Sequence, residues 1–384
     1  MSDSEIVWKE KGAERRARWH SEAGIPAPKK VQVADDTMNA DRAYHLACEG
    51  TAILWRGDFQ NARQLLQALA RRVDGHKKPP KTAPKSQTEA FHLYRMGQAQ
   101  RARTLGMLLI PFDADHSVPL RRAPDVRDAC NEAYGAADSN YIASLRELLG
   151  LIGAHEWRRK GLAVPELGEG FDGVPRFLHA HYGVFAPVRG EYLQLVARAP
   201  LPKSDLAFDI GTGTGVLAAI LARRGVKRVL ATDTDPRSLA CARDNIERLG
   251  FTERVEVIEA DLFPPTDEKA SVIVCNPPWL PGKPGSPLER AIYDQDSKML
   301  KGFIAGLASR LAPGGEGWLV LSDFAEHLGL RSREELLGWF SAAGLREVGR
   351  LEARPQHAKA KDQDDPLHGA RKKEVTSLWR LAVA

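Results

Sequence analysis

Residues 206–223 read LAFDIGTGTGVLAAILAR. An apolar run of strand length, Leu206–Ile210, passes into glycines at the alternate positions 211, 213 and 215 and then into a helical run from Val216. Glycines at that spacing let the backbone turn sharply and bring a ligand against bare amides at a helix N-terminus. The stretch reads as a nucleotide-type cofactor site built on the first strand of a sheet. Its GxGxG spacing differs from the GxGxxG of dinucleotide enzymes, and either pattern alone is weak, so the surrounding sequence has to carry the assignment.

Outward from this loop, strand-like runs alternate with helical ones: RVLATD, RVEVIEA, ASVIVCN and EGWLVLS. That alternation predicts a mostly parallel sheet covered by helices on both faces. The second strand ends in Asp233, about twenty residues beyond the glycines, where a carboxylate accepts hydrogen bonds from both ribose hydroxyls. The third runs out to Asp261, a position suited to an adenine amino group. Asp235 reads as the N-cap of the next helix rather than as a ligand. The fourth strand ends in an unusual stretch, Val274–Pro281, VCNPPWLP.

Composition bounds the rest. A chain of 384 residues with 43% hydrophobic content is long enough for two or three domains. The net charge of +5 permits an anionic partner without requiring one. Cys48, Cys130, Cys241 and Cys275 are scattered without a CxxC pair, which predicts neither a zinc site nor a disulfide framework and fits a reducing, cytoplasmic setting. No run approaches the roughly 20 apolar residues of a membrane span, so no membrane association is expected. The first half reads as helical, with 3.6-residue periodicity at about 38–48, 59–73, 89–105, 124–134 and 140–158. The texture changes near residue 160. The expected organisation is a helical N-terminal domain over 1–160, serving substrate recognition, and an α/β domain over 161–384.

The segments FDIGTGTGVLA, ATDTDPRSLACARDNI, EADLF and VIVCNPPWLPGK together resemble the motif series of class I S-adenosylmethionine-dependent methyltransferases. The likeness is to the small-domain group, which includes guanine methyltransferases of ribosomal RNA and glutamine methyltransferases of release factors. Upstream, HYGVFAPVRGEYLQLV is similar to that group's lead into the cofactor domain, and the resemblance covers roughly residues 175–323. It implies a Rossmann-like sheet of seven strands with the last antiparallel, and S-adenosyl-L-methionine as cofactor. Asp209, Gly211, Thr212, Gly213, Gly215, Asp233, Asp261 and Asn276 would hold that cofactor. Asn276, Pro277, Pro278 and Trp279 would form the catalytic element, with Trp279, Lys283 and Arg189 on the substrate side.

The chemistry of the NPPW element supports this on its own terms. An amide or exocyclic base nitrogen delocalises its lone pair and is a poor nucleophile. The Asn276 side-chain carbonyl and the Pro277 backbone carbonyl can each accept one amino hydrogen, which returns lone-pair density to the nitrogen and fixes its aim. The prolines stiffen the loop and bring no competing N–H. Trp279 offers a face on which a flat group stacks. No general base is required, because the amino proton becomes acidic only as transfer begins.

Two basic segments point to the substrate. Residues 61–103 hold ten Lys/Arg against the acids Asp74 and Glu89, with His76, Phe91, His92 and Tyr94 interleaved. The connection before the last strand, ARPQHAKAKDQDDPLHGARKKE, carries Lys372 and Lys373 and should overhang the mouth of the site, while its His357 and His368 are not spaced as metal ligands. These features favour RNA or a ribosomal particle over a protein, and no metal. A glutamine amide in a translation protein uses the same site and stays open. A nicotinamide-dependent oxidoreductase is disfavoured by the GxGxG spacing and the NPPW, and a non-catalytic binding protein by the intact motif set.

Overall fold

The structure is a computed structural model that describes residues 5–75, 83–170, 173–188, 190–286, 288–355 and 362–384. The chain divides into two compact units, Met1–Lys85 with His92–Glu156, and Ser86–Phe91 with Trp157–Ala384.

The first unit holds a six-stranded sheet. In chain order the elements are β1 (Glu5–Glu10), β2 (Ala13–Trp19), β3 (Lys30–Ala34), α1 (Ala40–Cys48), β4 (Thr51–Trp55), α2 (Phe59–Gly75), α3 (Gln87–Leu105), β5 (Leu108–Phe112), α4 (Arg127–Tyr134), β6 (Tyr141–Ser144) and α5 (Leu145–Lys160). The strand order is β1-β2-β6-β5-β4-β3. The expectation of a helical N-terminal domain is therefore corrected: the helices are present, but they flank a sheet. The strands escaped because TAILW and LLIPF are short, continuous apolar runs, which periodicity alone does not separate from buried helix. β6 was absorbed into the expected helix at 140–158, since YIAS continues the apolar spacing of α5 into the preceding turn.

In the second unit a small antiparallel pair, β7 (Leu162–Ala163) and β8 (Phe177–Leu178), precedes α6 (Glu191–Arg198), β9 (Leu206–Ile210), α7 (Val216–Arg223), β10 (Arg228–Asp233), α8 (Pro236–Arg248), β11 (Val255–Glu259) and β12 (Ala270–Cys275). Then follow β13 (Leu280–Pro281), β14 (Tyr293–Asp294), α9 (Lys298–Arg310), β15 (Leu311–Ser322), α10 (Phe324–His327), α11 (Arg333–Ala342), β16 (Leu345–Ala353) and β17 (Thr376–Val383). The sheet order is β11-β10-β9-β12-β15-β17-β16, with β17 antiparallel between β15 and β16. This is the Rossmann-like α/β sheet with a reversed last strand that the resemblance implies.

The period of two along the strands sorts side chains onto two cores. Ala207, Val272, Val274 and Trp318 face α6 and α7, packing on Leu193, Val196, Leu217 and Ile220. Phe208, Ile210, Ile273, Cys275 and Leu319 face the other way, onto Phe303, Ile304, Leu307 and Phe340 of α9 and α11. Burial on both faces explains why these strands are continuously apolar.

Two glycines of α9 fix the loop that follows β11. A side chain at Gly302 would overlap Leu262, and one at Gly306 would overlap the Phe263 ring, which stacks on Phe303. Leu262 takes a left-handed φ of 64° to reach this groove, a conformation that persists only where the surroundings impose it. Alanine for glycine inside a helix ordinarily gains about 0.5–1 kcal/mol. At Gly306 overpacking reverses the sign, so Gly306→Ala is expected to destabilise by about 1–3 kcal/mol in urea unfolding; a gain in the unfolding midpoint would show that the groove tolerates the methyl group.

Candidate active site

Strand register assembles the site. Ile210 pairs with Thr232 on one side and with Cys275 on the other. Gly211, Asp233 and Asn276 therefore follow at one level on β9, β10 and β12, with neighbouring strands about 4.8 Å apart. Asp233 in turn pairs with Glu259, and Ala260 N–H donates to the Asp233 carbonyl at 3.1 Å, which leaves Asp261 just past the end of β11. Asp261 is exposed.

Gly211, Gly213 and Gly215 all lie in the left-handed region, at φ 71°, 55° and 80°. The loop is held from both sides: Thr212 N–H donates to the Thr232 carbonyl at 2.8 Å, and Gly213 N–H to Asp233 Oδ2 at 3.0 Å. A Cβ on Gly213 would meet nothing, so that face of the loop is open, whereas one on Gly215 would press on the Ala242 backbone in α8. Asp233 Oδ1 accepts from Asp235 N–H at 2.9 Å. Each Asp233 oxygen thus carries one backbone bond and keeps lone-pair capacity for a ligand. Burial raises its pKa, against the opposing pull of these two N–H bonds. Asp235 caps α8 through Arg237 N–H at 3.1 Å, as expected.

Asp209 is 1% exposed. Its Oδ2 accepts from Thr212 Oγ1 at 2.6 Å and Ala218 N–H at 3.0 Å, while Oδ1 is buried with no partner. Burial pushes its carboxyl up to about 6, despite those two donors. An orphaned, buried carboxylate oxygen beneath an open glycine loop suits a cationic nucleoside ligand.

At the end of β12 the Asn276 side chain is clamped. Its Oδ1 accepts from Trp279 Nε1 at 2.9 Å. The buried Tyr192 of α6 lies beside the Asn276 side chain: burial and then the Asp209 charge raise the Tyr192 pKa, and the Asn276 amide lowers it. An amide oxygen has two lone-pair sites, so the Trp279 bond leaves one. Among the described residues no backbone N–H donates to the Pro277 carbonyl. Trp279 is half-buried and packs against both cores, so in this conformation the expected stacking face is partly covered. The Cys275 thiol is pushed well above its ordinary range, chiefly by burial, which removes it as a thiolate nucleophile.

The other expected substrate residues scatter. Lys283 is exposed shortly after β13, and Lys372 and Lys373 are exposed just before β17 at the carboxyl edge. Arg189 lies outside the described residues, as do His76, Lys77, Lys78, Lys81 and His357. Of the basic stretch in the first unit, Arg72 pairs with Asp41 and Arg101 with Asp74. His368 opens a short helix, His368–Arg371. Among the described residues no cluster of His, Cys, Asp and Glu has the makings of a metal site, and no helix is long and apolar enough to cross a membrane.

Two further elements were not anticipated. Tyr192 reads in sequence as one apolar position of an amphipathic helix. Asp294 of β14 caps α9, accepting from Met299 N–H and Leu300 N–H at 3.1 Å each, after two left-handed residues, Asp296 and Ser297. Two consecutive non-glycine residues in that region left no turn signature to find.

Residues 178–339 match the sequence model of the methyltransferase small domain. The chain is 29% identical over 153 residues to a tRNA1(Val) (adenine(37)-N6)-methyltransferase of Shewanella loihica, covering 38% of this chain and 62% of that protein. A protein of the same name from Shewanella amazonensis is 28% identical over 52% of this chain and 92% of its own length. A release factor glutamine methyltransferase of Cereibacter sphaeroides is 34% identical over 28% of this chain and 36% of its own. The chain thus spans less than two thirds of two of these three relatives.

The Asp209 carboxyl yields a pH test. Its folded-state pKa lies above the unfolded value, so its contribution to stability is fully present below about pH 4 and is lost as pH rises through about 6. The loss at neutral pH is about 3 kcal/mol at most, from roughly two pKa units at 1.36 kcal/mol each. Asp209→Asn retains an oxygen for Thr212 and Ala218 and has no such titration. Relative to the parent, this variant is expected to gain stability as pH goes from 4 to 7, read as the difference in urea midpoints; a pH-independent difference contradicts the raised pKa.

Proposed function

We propose that this chain is an S-adenosylmethionine-dependent N-methyltransferase that acts on a planar amino nitrogen, most readily the exocyclic amine of an RNA base. The observation that carries the reading is the placement of Asn276 and Pro277 at the same level as the glycine loop, on the adjacent strand. The orphaned Asp209 oxygen and the open face at Gly213 fit the cofactor. Gly211, Thr212, Gly213 and Gly215 would cradle it, Asp233 would take the ribose hydroxyls, and Asp261 the adenine amine. S-adenosylmethionine supplies the electrophile, a methyl carbon on a sulfonium sulfur.

The chain's own residues do the rest. Asn276 Oδ1, with one lone pair on Trp279 Nε1, offers its second to an amino hydrogen. The Pro277 carbonyl takes the other. Hydrogen bonding of both hydrogens draws the nitrogen lone pair out of conjugation and along the line of attack. Tyr192 keeps the Asn276 amide from turning over. The methylated nitrogen then carries a positive charge and releases its proton to solvent.

The tRNA relatives support an RNA substrate, and the extended match to the Shewanella amazonensis protein supports a transfer RNA over ribosomal RNA. The release factor relative supports a second reading, a glutamine amide in a translation protein, for which the same acceptor pair suffices. Either substrate fits a cytoplasmic enzyme.

Transfer of labelled methyl from S-adenosylmethionine into a cell extract, followed by digestion, separates the two: label lost to RNase supports the base amine, and label lost only to protease supports the amide. Asn276→Ala is expected to lower turnover by about a hundredfold or more while S-adenosylhomocysteine affinity stays within about threefold. More than half the parent's turnover in that variant removes Asn276 from the chemistry.

A further inference from the structure

Arg331 lies in the connection between α10 and α11, at the carboxyl edge of the sheet, and is 4% exposed. Its Nε and Nη2 are buried without a hydrogen-bond partner. Burial depresses its pKa, and the charges that favour its cationic form come from Glu326, Glu335 and Asp294. Each of these acids is engaged elsewhere. Both Glu326 oxygens take Arg333 Nε, at 2.8 and 2.9 Å. Glu335 Oε2 accepts from Ser332 N–H at 2.7 Å within a capping box, and Asp294 caps α9. A guanidinium kept for structure has its fork filled, because an unpaired buried charge is destabilising. The charges of three carboxylates act on Arg331, and no hydrogen bond or ion pair joins any of them to it.

Its position says what the fork is kept for. The cofactor-side acids Asp233 and Asp261 lie at the ends of β10 and β11, on one side of β9. Arg331 follows β15, beyond β12 on the other side, and α10 packs against β13, the strand immediately after the NPPW. The helix His368–Arg371, which leads into the exposed Lys372 and Lys373, also packs on α10. The substrate half of the carboxyl edge therefore carries Arg331, Lys372 and Lys373, and the acids beside them, Glu326, Glu335, Asp294 and Asp365, are already held by other donors.

We propose that Arg331 is a substrate-binding residue, whose guanidinium leaves its buried position by rotation about its own side-chain torsions and takes a backbone phosphate of the RNA strand that carries the target base. A planar fork of donors matches two phosphate oxygens at once. This inference rests on the RNA reading of the same site and sharpens it to a named phosphate contact.

The test compares parent, Arg331→Met and Arg331→Lys for thermal midpoint, for S-adenosylhomocysteine affinity by calorimetry, and for binding of total bacterial transfer RNA across a salt series. Arg331→Met removes an unpaired buried charge, so its thermal midpoint is expected to equal or exceed the parent's. Its transfer RNA affinity falls about tenfold at low salt, and the slope of log affinity against log salt becomes shallower by about 0.7–0.9 for one lost phosphate contact. Arg331→Lys keeps the charge without the fork and falls between the two. S-adenosylhomocysteine affinity stays within twofold in both. A lowered midpoint with unchanged RNA binding makes Arg331 a structural residue and overturns the proposal. Loss of S-adenosylhomocysteine affinity assigns the fork to a cofactor carboxylate and overturns it equally. RNA binding is read independently of methyl transfer, so a parent that holds RNA but transfers no methyl group defeats the catalytic reading and leaves the Arg331 comparison intact.

Discussion

Parallel strands that end level deliver their loops to a common edge, and the second unit is organised around that constraint. Ile210, Thr232 and Cys275 stand side by side, so the residues after them must diverge within one strand spacing. The glycine loop achieves this with three left-handed positions, and Asp233 secures it by accepting one N–H from Gly213 and one from Asp235. A single carboxylate thereby ties the loop after β9 to the start of α8, and leaves lone pairs outward on the open side. Everything on the cofactor side inherits its position from this junction.

The electrostatics of the edge follow from its composition. Asp209, Asp233 and Asp261 gather at the ends of β9, β10 and β11, and burial holds the first two above their ordinary range. Such a field favours a cation and opposes a polyanion. A site that takes a cationic cofactor and a polyanion, as proposed above, has to separate them laterally. The strand order allows this, with Asp233 and Asp261 toward β11, and with Arg331, Lys372 and Lys373 beyond β15 among acids already held by other donors. Cys275, inside the same field and fully buried, stays a thiol.

Much of this was legible in the sequence where local chemistry and global fold agree. The glycine spacing, the acids at strand ends and the Asp235 cap follow from patterns a few residues long, and the reversed last strand from the family resemblance those patterns carry. What was not legible depended on tertiary context. TAILW and LLIPF reveal themselves as strands only when paired. Tyr192 lies more than eighty residues before Asn276 and reads as an ordinary core position. The bond from Trp279 to Asn276 changes a residue expected as an open platform into one that also holds its neighbour. Arg331 carries no pattern at all, since its meaning lies in three acids that are occupied by others.

The reversed strand has a consequence for how the sheet is made. β17 inserts between β15 and β16, and both precede it in the chain. Until Thr376–Val383 emerges from the ribosome, β15 and β16 each present an unpaired edge, and Trp318 and Leu319 lack the neighbour that covers them. Unpaired apolar edges are where chains add to one another. The sheet is therefore closed by a late, long-range insertion, and the interval before it is when the nascent chain most needs shielding from its own copies.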